Sequence, residues 1–141
     1  MIKFERLPAN ILSRIPEVKR VLAQDDNVIF AYIFGGLAEG KDKPLSDIDI
    51  SVYLRDTDNL AEYKLQLFNM LADVLGTSEL DLIILNTAPI SITGRILQNK
   101  QILVDKEPSV RHAYESLTLR KFFDFRIKED ALFSMRYGIG R

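Results

Sequence analysis

Apolar residues first return at helical spacing at Ile11, Ile15, Val18 and Leu22. That spacing predicts a helix, with Ser13 as its cap and Pro16 in its first turn. Asp25-Asp26-Asn27 ends it. Residues 28–34 are apolar without alternation and rich in β-branched and aromatic types, the mark of a strand covered on both faces. A glycine turn and a polar loop follow. Residues 47–54 then alternate strictly, with Asp47, Asp49, Ser51 and Tyr53 on one face of a strand and Ile48, Ile50, Val52 and Leu54 on the other. Arg55-Asp56-Thr57-Asp58-Asn59 reads as a turn with capping residues. Leu60, Tyr63, Leu67, Met70, Leu71, Val74 and Leu75 trace an amphipathic helix that ends near Gly76. Residues 79–85 predict a third, buried strand. Residues 90–99 predict a helix in which Gly94 is a weak point, and 101–105 a short strand. From Pro108 to about Tyr137 the chain reads as one long helix. Its apolar residues cover more than one stripe, which predicts two packing partners: its own domain and a further surface able to meet another chain.

The order is α-β-β-α-β-α-β-α. The fold class expected is α/β (α+β), a small mixed β-sheet flanked by helices with a long C-terminal helix. The chain of 141 residues reads as a single domain over 1–141, with its core at about 28–105 and the last helix at about 108–137. An apolar fraction of 47% supplies a core, and 28% charged residues give a soluble surface. The net charge of −1 predicts no direct, sequence-independent grip on nucleic acid. The lack of cysteine excludes disulfides and thiolate catalysis. No apolar stretch approaches the ~20 residues that span a bilayer, and no leader is apparent at Met1-Ile2-Lys3-Phe4. A cytoplasmic protein without a membrane partner is the expectation.

The chemistry concentrates where the first strand ends and the second begins. Gly35-Gly36 closes one run, and Asp47 and Asp49 open the next. Two aspartates two residues apart on a strand share a face, about 6–7 Å apart along it. Taken alone they read as solvent-facing residues at a strand end. Asp81 changes that reading, because it stands at the head of another strand expected to be buried, where an inward unpaired carboxylate is costly. If these strands are neighbours, three carboxylates converge. Such a cluster suits Mg²⁺, which takes hard oxygen ligands together with substrate phosphates. Gly35 and Gly36, ahead of a helical turn, would offer backbone N–H groups to a triphosphate. No Gly-Lys-Ser/Thr follows, so this is not a Walker A loop.

Gly35-Gly36, ten residues, then Asp47-Ile48-Asp49 resembles the Gly-Ser-x10-Asp-x-Asp signature of the polymerase β-like nucleotidyltransferase superfamily. Within it the chain looks like the minimal nucleotidyltransferases, the MNT domains. Ser46-Asp47-Ile48-Asp49-Ile50 fits that pattern, as do Asp81-Leu82-Ile83-Ile84-Leu85-Asn86 with Ala88-Pro89 and the final Leu119-Arg120-Lys121-Phe122-Phe123 helix. One departure is Gly36, where the family has serine and its hydroxyl donor. The resemblance implies an antitoxin paired with a HEPN-domain ribonuclease toxin in a hetero-oligomer. Its activity would be transfer of AMP from ATP to tyrosine of that toxin. It also implies that Asp47, Asp49 and Asp81 are catalytic and hold Mg²⁺, two ions in the family scheme. Gly35, Gly36 and Ser46 would bind the nucleotide.

Two alternatives stand beside this. The same fold could neutralise a toxin by contact alone, or it could serve a small-molecule acceptor. Lys41 and Lys43 are loop lysines that either touch phosphate or are merely solvated. Arg95 reaches the nucleotide only if the fold brings it there. His112, the sole histidine, has no partner motif and reads as a surface residue, and Asp105 reads as structural.

Overall fold

The computed structural model describes residues 11–35 and 48–137. A short 3-10 turn, Ile11–Arg14, leads into helix α1, Ile15–Gln24. Pro16 falls in the first turn, where its missing N–H costs nothing. The capping position is Arg14 and not Ser13, because the 3-10 turn carries the chain into the helix without a break. Strand β1 is Val28–Phe34 and β2 is Ile48–Leu54. Helix α2, Leu60–Leu75, is followed by β3, Leu80–Ile84. Helix α2 ends as its composition predicts, on Gly76 in the left-handed region at φ +73. Its first position is Asn59, also left-handed at φ 53, without a side-chain cap. Helix α3 is Ile90–Gln98, β4 is Lys100–Asp105 and α4 is Pro108–Tyr137.

The four strands lie in the order β3-β2-β1-β4. Strand β1 pairs antiparallel with β2 and with β4, and β2 pairs parallel with β3, so the sheet is mixed. The parallel pair needs a crossover, and α2 provides it. Each sheet face has its own helical layer. Ala31, Ile33, Ile50, Val52 and Leu82 pack with Val18 and Leu22 of α1 and Leu67 and Leu71 of α2. Phe30, Tyr32 and Tyr53 pack against Ile96 and Leu97 of α3 and Tyr114 and Leu119 of α4. Strand β1 is covered on both sides, which explains its unbroken apolar run. Burying each large aliphatic of this core contributes about 1.5–3 kcal/mol.

Among the described residues, helix α4 is held at its beginning and left uncovered at its end. Its only buried residues are Thr118 and Phe122. Phe123, Ile127, Leu132, Met135 and Tyr137 are exposed. The second packing surface expected for this helix is therefore open. Among the described residues no helix is long and apolar enough to cross a membrane.

Candidate functional site

Strands β2 and β3 are neighbours, and their register sets Asp49 opposite Asp81. Partners across a sheet stand about 4.8 Å apart and project to the same face. Here that face carries Ser51, Tyr53 and Ile83, on the α3/α4 side. Asp49 is half-buried and Asp81 exposed. The expectation of an inward Asp81 within a covered strand is corrected: β3 is an edge strand, so this carboxylate keeps its water. Asp47, Gly36 and Ser46 lie outside the described residues, as do Lys41 and Lys43.

Strand β1 brings the glycine. Phe34 is registered opposite Asp49, and Gly35 follows at φ +78, a conformation that L side chains rarely adopt. A Cβ at Gly35 would collide with Oδ2 of Asp49. The backbone at the end of β1 thus lies directly against the Asp49 carboxylate, a closeness that glycine alone permits. Among the described residues the site holds two carboxylates and this glycine, oxygen donors of the kind a hard divalent cation takes.

Beneath the site the sheet face is covered by packed side chains. Ser51 is fully buried, and its hydroxyl has no hydrogen-bond partner among the described residues. Phe30, Tyr53 and Tyr114 form a ring cluster, Phe30 stacked on Tyr53 at 4.8 Å and Tyr114 tilted 5.1 Å from Tyr53. Tyr32 donates its hydroxyl to Glu115 of α4 at 2.6 Å. Burial first, then this bond to a carboxylate, push the Tyr32 phenol well above its ordinary range, so it remains a donor. Arg111 bridges Glu115 and Asp105 at 3.1 and 2.9 Å, and Lys100 lies 3.5 Å from Glu115. Burial raises the Glu115 pKa, but the Tyr32 bond and the Lys100 and Arg111 charges outweigh it and hold the carboxyl below its usual value. Asp105 is structural, as its sequence position suggests, and His112 is an exposed neighbour of Arg111.

Helix α3 supplies a wall that sequence reasoning missed. Gly94 is no weak point, because a Cβ there would run into the Phe122 ring. The notch lets α4 press against α3 and fixes the rotation of α3 about its axis. Thr93, Ile96 and Leu97 turn inward, and Arg95 turns out. A cavity of about 360 Å³ opens between Phe34 and Gly35 on one side and Ile92, Arg95, Ile96 and Asn99 on the other. The signals in the sequence were the glycine inside an otherwise amphipathic helix and Arg95 beside it.

Residues 16–109 match the family model described as polymerase beta, nucleotidyltransferase, and the chain belongs to that family. Comparison with curated protein sequences finds no match. Among solved structures, the chain is similar to one of a toxin–antitoxin with AMP-PNP, at TM-score 0.70 and 22% identity, covering 86% of this chain and 95% of that one. It is similar also to one of tri-AMPylated Shewanella oneidensis HEPN toxin in complex with MNT antitoxin, at TM-score 0.68 and 20% identity, covering 87% and 95%. A third, of the toxin–antitoxin MntA–HepT, has TM-score 0.67 and 21% identity, covering 87% and 96%. At these identities the likeness is one of fold.

Proposed function

We propose that this protein transfers AMP from ATP to a tyrosine of a HEPN-domain toxin and thereby acts as its antitoxin. The observation that carries this reading is the register of Asp49 beside Asp81, with the Gly35 backbone closed against Asp49. Membership of a nucleotidyltransferase family supports it, and so does the fold shared with structures of antitoxins beside HEPN toxins, one of them AMPylated. In this reading a phenol oxygen of the toxin attacks the α-phosphorus of ATP. The O–P bond to tyrosine forms, the bond from the α-phosphorus to the bridging oxygen breaks, and diphosphate leaves. Asp81, exposed at the sheet edge, accepts the phenol proton. Gly35 and Gly36 present backbone N–H groups to the phosphates, and Ser46 adds its hydroxyl. Mg²⁺ held by Asp47, Asp49 and Asp81 supplies positive charge to the phosphates when bound.

The test is the intact mass of the HEPN partner, co-expressed with this protein and then treated with ATP and Mg²⁺. A gain of one or more AMP units, lost with Asp49→Asn, is expected. Asparagine has nearly the shape of aspartate, so Asp49→Asn should keep the fold, read by circular dichroism. Transfer that persists in Asp49→Asn with an unchanged Mg²⁺ requirement overturns the assignment.

A second reading, neutralisation by contact alone, draws on the exposed apolar surface of α4. No mass gain together with a tight, silenced complex would favour it. Mass gain on a small acceptor instead of the toxin would point to the third class.

A further inference from the structure

Sheet order leaves β3 without a strand on its outer side among the described residues, and Asp81 is its second residue. Two bonds at the ends of the β2–β3 ladder decide which of its backbone groups face outward. Ile48 donates its N–H to the Glu79 carbonyl at 3.0 Å, and Leu85 donates to the Val52 carbonyl at 2.9 Å. Backbone groups alternate between the two sides of a strand. Residues 79, 81, 83 and 85 therefore turn theirs toward β2, and Leu80, Leu82 and Ile84 turn theirs away. Leu80 gives its N–H to Ser78, and the Ile84 carbonyl accepts from Thr87. The Leu80 carbonyl, both groups of Leu82 and the Ile84 N–H have no partner among the described residues. Little in the strand blunts this edge. It has no proline and no lysine, and its register with β2 runs without a shift. The opposite edge, β4, begins with Lys100, and its register with β1 slips between Ala31 and Tyr32. Beside the end of β3 lies a mostly apolar cavity of about 480 Å³, walled by Leu60 and Ala61 of α2, by Ile83 and Ile84, and by Pro89 and Ile92.

We propose that the edge of β3 receives the toxin segment bearing the acceptor tyrosine as an added strand. The proposal rests on the transfer reading above and says how the acceptor is presented. An added strand stands about 4.8 Å from its neighbour and turns alternate side chains to each face. A tyrosine opposite Asp81 therefore shares the face of Asp49 and Asp81, with its phenol beside the carboxylate that takes its proton. The residue two positions from that tyrosine falls opposite Ile83, about 6–7 Å further along. There the cavity accepts an apolar side chain. Bonds to the outward backbone groups hold the segment extended and ask nothing of its sequence. Asp81 and the cavity supply the sequence demand: a tyrosine and an aliphatic or aromatic residue at a spacing of two. A helix cannot meet this edge, because its own N–H and C=O groups are already paired.

The test is amide hydrogen exchange of the full chain, read residue by residue, with and without the HEPN partner and in the absence of ATP. In the free protein Leu82 and Ile84 should exchange faster than Ile83, whose N–H faces β2. The partner should slow Leu82 and Ile84 at least ten-fold and leave Ile83 unchanged. No slowing by the partner overturns the proposal. So does protection already complete in the free protein, where this chain would cover its own edge. Protection that follows the concentration of this protein alone overturns it too, since the occupant would then be a second copy. Ala61→Trp fills the cavity from an exposed helix position, so circular dichroism should show it folded. In AMP transfer it should raise KM for the toxin about ten-fold and leave KM for ATP unchanged. An unchanged KM for the toxin, or equal rises for toxin and ATP, overturns the apolar anchor. Slowed exchange with no AMP transfer by the wild type sinks the enzyme reading and leaves the docking. Transfer without slowed exchange does the reverse.

Discussion

At Gly35 two constraints meet in one residue. Its φ of +78 disfavours any L side chain, and the space a Cβ would take is filled by Asp49. Gly35→Ala is therefore expected to lose nucleotidyl transfer and about 1–2 kcal/mol of stability, measured by AMP incorporation and by urea unfolding. A fully active Gly35→Ala would mean that Asp49 need not stay where the glycine holds it. Gly94 is a different case, since its backbone is unstrained and only the Phe122 ring forbids a side chain. Gly94→Ala should cost about 1–3 kcal/mol through overpacking, read as a lower urea midpoint. The sequence made Gly35 legible because a glycine pair followed by spaced aspartates is a local pattern. Gly94 was not legible as a contact, because its partner lies on another helix. Asp81 fell between the two. Its chemistry was readable, but its exposure depends on β3 being an edge strand, which only sheet order decides.

Among the elements, the strands and α2 could be read almost to the residue: β2 by its period of two, α2 by its period of 3.6, and β1 and β3 as short apolar runs bounded by turn residues. The length of α4 was equally plain, and its attachment was not. What fastens it is polar: Tyr32, Glu115, Arg111, Asp105 and Lys100, spread over β1, β4 and α4. Apolar periodicity cannot reveal a network of this kind. Glu115→Gln keeps an acceptor for Tyr32 but leaves Lys100 and Arg111 short of a charge, and should cost about 1–3 kcal/mol near neutral pH. The Glu115 pKa is depressed in the fold, so its contribution is complete above the ordinary carboxyl range and is lost as pH falls through the lower folded value. The gap between wild type and Glu115→Gln should accordingly narrow in acid. Urea midpoints measured from pH 7 down to about pH 3 check this, and a gap constant across that range would remove Glu115 from the account.

Taken whole, the molecule places a covered sheet under its chemistry and sends one helix beyond its core. Phe122, despite its place in the apolar series of α4, belongs to the domain's own packing. Phe123 and Ile127, one turn apart on the same side, remain exposed and are the residues to charge. Under the proposed function, Phe123→Glu with Ile127→Glu should leave the melting temperature within a few degrees of wild type. The same pair should weaken capture of the HEPN partner at least ten-fold by biolayer interferometry, a loss of about 1.4 kcal/mol or more. Unchanged capture would move the interface elsewhere on the surface.

One of the two opposed carboxylates sits on the rim of the sheet, and that rim has a consequence for traffic. A pocket sunk within a fold sorts its visitors by size before chemistry begins. A workplace at an outer margin turns away nothing on grounds of bulk, so a whole folded polypeptide can offer its side chain there as readily as a metabolite. The same openness leaves the margin wet until such a visitor covers it. On the reading proposed here, the recipient is then also the missing roof: its arrival expels the water that would otherwise compete for the adenylyl group. Selection of the recipient would fall to surfaces remote from the reacting atoms.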